Sequence, residues 1–165
     1  MKPILLLLLP ALILASCQQP VDNTKVLQNR IDSLEKKVAD SYKPGFGEFM
    51  SSIQSHHSKL WFAGQNNNWK LADFEIGEIK EALEGIRKYD TDRKESEQLV
   101  MLNPAIDSMS GAIAQKNPAR FKSAFHLLTA TCNNCHHAVS FEFNVIKVPD
   151  ASPYTNQDFN SGDKK

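Results

Sequence analysis

Four stretches of this sequence repeat apolar residues at alternating steps of about three and four, and that spacing leaves little choice of architecture. Residues so placed fall on one face of a helix. The first stretch, about 46–64, sets Phe46, Phe49/Met50, Ile53, His57 and Leu60/Trp61 on one stripe. The second carries Ala72, Ile76, Ile79, Leu83 and Ile86, and the third Leu99, Leu102, Ile106, Met109 and Ile113. The fourth carries Phe121, Phe125, Leu128, Cys132, Cys135 and Val139. The boundaries agree with the stripes. Asn66-Asn67-Asn68 reads as a loop whose last residue caps the second helix, which ends near Tyr89-Asp90. Pro104 predicts a kink in the third pattern or a restart capped by Asn103, and Asn117-Pro118 opens the fourth. Four amphipathic helices with short connections predict an all-α fold: an up-down-up-down four-helix bundle over residues 45–140, packed about 20° off antiparallel.

Segments on either side of the bundle read differently. Leu27, Ile31, Leu34 and Val38 form a coiled-coil seam of under two heptads inside a 17–44 tether and coil, broken by Lys43-Pro44-Gly45. A coil this short is marginal alone, so it packs on the bundle or meets its own copies, as a homo-oligomer through residues 26–42. After Ser140, Phe141, Phe143 and Val145 alternate with Glu142 and Asn144, which predicts an extended tail (141–165) over the bundle, loose from Asp150 onward. At the other end, Lys2 precedes an apolar run from Ile4 to Ala15 that would span about 18 Å as a helix, too short for a hydrocarbon core of roughly 30 Å. It reads as a cleaved secretory signal, residues 1–16. Leu14-Ala15-Ser16-Cys17 resembles the lipobox of bacterial lipoproteins. That resemblance implies lipidation of Cys17 and anchorage to a membrane facing the periplasm; the absence of aspartate in Gln18-Gln19 favours the outer membrane. With 19 basic and 19 acidic residues, the chain offers no stripe for a nucleic acid.

The chemistry gathers at Cys132-Asn133-Asn134-Cys135-His136. Cys-x-x-Cys-His is the attachment pattern of c-type haem. Thiols at i and i+3 share a helical face, so both sulfurs can add across the two vinyl groups along one porphyrin edge. The adjacent His136 then serves as the proximal iron ligand. The rival readings are a redox dithiol, which would want a βαβ setting, and a zinc site, which would want a second ligand pair. One covalent haem c and one lipid anchor would use all three cysteines.

The motif lies at the end of the last helix rather than near the N-terminus. In that respect the chain resembles the class II c-type cytochromes, the cytochrome c-prime type, which are four-helix bundles with Cys-x-x-Cys-His near the end of the fourth helix. The resemblance covers about residues 45–140. The stretch from Met50 to Trp61, with His56-His57, and the tail Asn156-Gln157-Asp158-Phe159 also resemble a bacterial family of small bundle cytochromes. The lipobox, the leading coil and the long tail depart from cytochrome c-prime.

None of the four methionines follows the haem motif, so a methionine opposite His136 must come from an earlier helix. Met50 lies at the matching depth on the first helix and is the candidate distal ligand. His57 is the rival, seven residues and about 10.5 Å further along the same face. Ligation by histidine and methionine suits a one-electron carrier serving protein redox partners and no enzymatic role. An open iron would suit a module that binds NO or CO, as in cytochrome c-prime.

Overall fold

The computed structural model describes residues 23–41 and 43–160; the signal segment 1–16 and Cys17 lie outside them. The chain divides into two units, Met1–Tyr42 and Lys43–Lys165. The first contributes one helix, α1 (Thr24–Ala39), with no buried residue. The second contains α2 (Phe46–Gln65), α3 (Trp69–Tyr89), the short α4 (Lys94–Gln98), a 3-10 turn (Leu99–Leu102), α5 (Asn103–Ala114) and α6 (Pro118–Ala138). The fold is all-helical, with no strand among the described residues. No helix among them is long and apolar enough to cross a membrane.

Two of the helices, α3 and α6, begin where the sequence supplies an oxygen acceptor. Asn68 Oδ1 accepts from the Leu71 amide at 3.2 Å and Asn117 Oδ1 from the Arg120 amide at 3.0 Å, each satisfying an otherwise orphaned donor. Pro104 does restart a helix, after the 3-10 turn, but Asn103 does not cap it. Asn103 already has helical φ/ψ, and its Oδ1 accepts from Arg87 at 3.1 Å.

Three helices end in one device. Asn67, Lys116 and Ser140 take φ of 55°, 51° and 63°, the left-handed conformation. After each, the next amide reaches back five residues: Asn68 to Ala63, Asn117 to Ala112 and Phe141 to His136, at 2.9, 3.2 and 2.8 Å. These are Schellman turns built without glycine.

Packing closes a ring in which α2 meets α3, α3 meets α5, α5 meets α6 and α6 meets α2. The stripes read from sequence become one core that includes Leu60, Ile76, Leu83, Leu99, Met109 and Phe125. Gly64 permits the closest approach. A Cβ there would lie 2.0 Å from Phe121 Cζ, so the ring of Phe121 rests against the α2 backbone. Trp61 and Trp69 pack around the same ring, with centroids 6.4 and 5.9 Å away.

The tail departs from expectation. A turn and bend occupy residues 142–144, and 145–149 have no regular secondary structure, with Phe143 and Val145 exposed. Residues 150–160 are held rather than loose. Phe159 is buried and packs 5.5 Å from the Phe62 ring, and the Asn68 amide donates to the carbonyls of Phe159 and Asn160. Burying one phenylalanine is worth about 2 kcal/mol, which offsets part of the entropy cost of ordering the segment.

Candidate functional site

A cavity of about 250 Å³ opens between the N-terminal half of α2 and the C-terminal end of α6. Its walls include Phe46, Met50, His57, Cys132, Cys135 and His136, so every haem-site residue read from the sequence borders one space. Both cysteines are free thiols. Burial pushes the Cys132 thiol up to about 12, with the neighbouring Cys135 adding to the effect, and burial also raises Cys135. At neutral pH both keep their protons, which suppresses the thiolate on which dithiol exchange depends.

His136 is held from its far side. Its Nδ1 lies 2.6 Å from the Asn144 carbonyl. A carbonyl can only accept, so Nδ1 carries the hydrogen and Nε2 keeps its lone pair in the neutral ring. The Schellman turn at Ser140 delivers that carbonyl by reversing the chain immediately after α6. A second turn, Asn144 amide to Phe141 carbonyl at 2.9 Å, fixes its direction. Asn133, one of the two variable positions of the motif, then clamps the returning strap. Its Oδ1 accepts from the Ile146 amide and its Nδ2 donates to the Ile146 carbonyl, both at 2.8 Å.

His57 is 4% exposed and packs 4.4 Å from Phe125. Its Nε2 lies 2.9 Å from Thr129 Oγ1, and that hydroxyl is also 2.9 Å from the Phe125 carbonyl. The hydroxyl hydrogen serves the carbonyl, so His57 donates from Nε2. Burial lowers its pKa to about 4, which keeps the ring neutral at pH 7. Met50 is half-buried on the wall of the same cavity.

The other histidines stand elsewhere. His56, which the sequence reads as an exposed helix residue, is instead half-buried with Nδ1 2.6 Å from Glu75 Oε2. Glu75 is itself 1% exposed, so the pair ties α2 to α3 through a carboxylate that would otherwise be buried without a partner. His126 is exposed at the edge of Trp61, and His137 is exposed beyond the motif.

Three contributors have no sequence signal of their own: Asn144, Asn133 as a clamp, and Glu95 on the cavity wall. The hydrogen bond from Arg93, at 2.9 Å, holds the Glu95 carboxyl below its ordinary value. Among the described residues, no three His, Cys, Asp or Glu side chains group as a site for a bare metal ion. Comparison with protein-family models, with curated proteins and with solved structures finds no match.

Proposed function

We propose that this protein is a c-type cytochrome, with one haem covalently held by Cys132 and Cys135 and ligated by His136, acting as a one-electron carrier. The observation that carries the reading is the pairing of two free thiols with a histidine on one cavity, the histidine fixed through Nδ1 to a backbone carbonyl. Such an outer contact sets the tautomer and orientation of an iron-binding imidazole and raises its basicity. The donor set fits the group: the thiols are reduced, the cavity is largely apolar, and Nε2 of His136 is uncommitted.

When bound, the haem supplies an iron that gains and loses one electron. The chain's own residues do the rest. Cys132 and Cys135 fix the ring to α6, and Asn133 holds the strap that positions His136. Phe46 and Ile53 exclude water from the α2 side. Met50 remains the candidate distal ligand as a soft thioether donor on the cavity wall, while His57, held through Nε2 by Thr129, keeps its lone pair on Nδ1 and stays the rival. With haem bound, a thioether ligand from Met50 beside His136 would raise the reduction potential, as suits a carrier. The architecture completes the proposal as an up-down-up-down bundle, carried to a membrane surface by a lipid on Cys17.

Denaturing electrophoresis with haem staining tests the attachment. The wild-type polypeptide should keep its haem, and Cys132→Ala with Cys135→Ala should lose it. Haem that extracts from the native protein into acidified acetone overturns the proposal.

A further inference from the structure

The first unit presents a row of apolar side chains to solvent. Leu27, Ile31, Leu34 and Val38 are 55%, 46%, 58% and 68% exposed, on a helix with no buried residue. Polar residues flank the row, with Gln28 donating to Asp32 at 2.8 Å, and Val26, also exposed, lies off it. A helix of sixteen residues does not carry such a stripe for its own stability, since a single helix buries nothing along it.

Steps of four, three and four set the heptad register. They place Leu27 and Leu34 at d and Ile31 and Val38 at a. Leucine at d with a β-branched residue at a is the pattern that favours two parallel strands, because the branched side chain packs well at a and leucine at d. The flanking charges settle direction. Arg30 and Lys37 occupy g, and Gln28 and Glu35 occupy e. In a parallel, in-register pair, each g residue faces the e residue five places later on the other chain. Arg30 then meets Glu35 of the second copy, twice by symmetry. An antiparallel pair would set g against g and bring Arg30 and Lys37 together, a like-charge contact.

We propose that α1 forms a parallel, in-register, two-stranded coiled coil with a second copy of this chain. Under two heptads bury few side chains, so the association is weak between dilute chains and gains from any shared surface that raises the local concentration. Parallel register also sets both N-termini on the same side.

Cysteine cross-linking in cells expressing the full chain provides the test, read on non-reducing gels above the wild-type background from Cys132 and Cys135. Val38→Cys should give a species of twice the chain mass, and the outward position Lys36→Cys should not. Adding Glu35→Arg to Val38→Cys should cut the yield several-fold, and adding Arg30→Glu as well should restore it, a recovery that misfolding cannot imitate. Equal yields at positions 36 and 38, or no recovery in the charge-swapped chain, overturn the proposal. So does cross-linking between co-expressed Leu27→Cys and Val38→Cys chains in the absence of the Val38→Cys homodimer, which marks the antiparallel form.

Discussion

Two side chains on the cavity wall separate by what each can still offer. His57 is tethered through Nε2 to Thr129 and can offer only the lone pair on Nδ1, whereas Met50 offers a thioether sulfur. In Met50→Ala the ferric haem protein should pass from low-spin to high-spin and bind CO faster, while His57→Ala should leave the spin state unchanged; absorption and CO-rebinding measurements decide. The reverse pattern would assign the distal position to His57. Burial gives His57 a second consequence. In the unfolded chain it takes up a proton near 6.5, in the folded chain only near 4. Between those values the unfolded state holds more protons, so stability falls as pH drops from 6.5 to 4, by roughly 3 kcal/mol at most. Denaturant unfolding across that range should show the loss in the wild type and a flatter limb in His57→Gln; parallel limbs would remove His57 as the cause. At this scale the sequence was readable where chemistry needs fixed spacing, as in Cys132, Cys135 and His136. It was silent on Asn144, whose backbone carbonyl rather than its side chain meets His136, and on Glu75, a carboxylate set into a helical stripe between Ala72 and Ile76.

Among the elements, α2, α3 and α6 were legible from their stripes and from Asn68, Asn117 and Pro118. The ends were harder to read, since the left-handed residue after a helix is most often glycine and here is Asn67, Lys116 or Ser140. Breaking the third stripe into a 3-10 turn and α5, with the short α4 ahead of it, also left no mark beyond Pro104. The hold on residues 150–160, expected to be loose, was not legible because the anchors of the strap are single residues far apart: Asn133 on Ile146, Tyr154 on the Ser55 carbonyl at 3.3 Å, and Phe159 under Phe62. The clamp carries its own prediction. Asn133→Ala leaves the Ile146 amide and carbonyl without their partner, at a cost of about 1–3 kcal/mol, and frees the carbonyl that orients His136. The variant should keep its covalent haem, show a lower melting temperature and show a shifted reduction potential. An unchanged potential would confine Asn133 to a structural role.

For the whole molecule, the signal and Cys17 predict where the chain resides. Cys17→Ser should move the protein from the membrane fraction to the soluble periplasmic fraction on cell fractionation; a chain that stays with the membrane would overturn lipidation as its anchor. The all-helical class followed from periodicity alone, because stripes at alternating steps of three and four fit no sheet. The contrast between the two ends of α2 did not. At its C-terminal end, the tip of the Phe121 ring presses against Gly64, with Trp61 and Trp69 beside it, and leaves no room for a side chain there. At its N-terminal end, the same pair of helices part around an open space. Compliance is therefore graded along the seam, as in a clothes-peg whose spring lies at one end and whose jaws lie at the other. Something flat and rigid entering between the jaws would be accommodated by a small splay there, while the aromatic end stays shut and sets the force with which the jaws close.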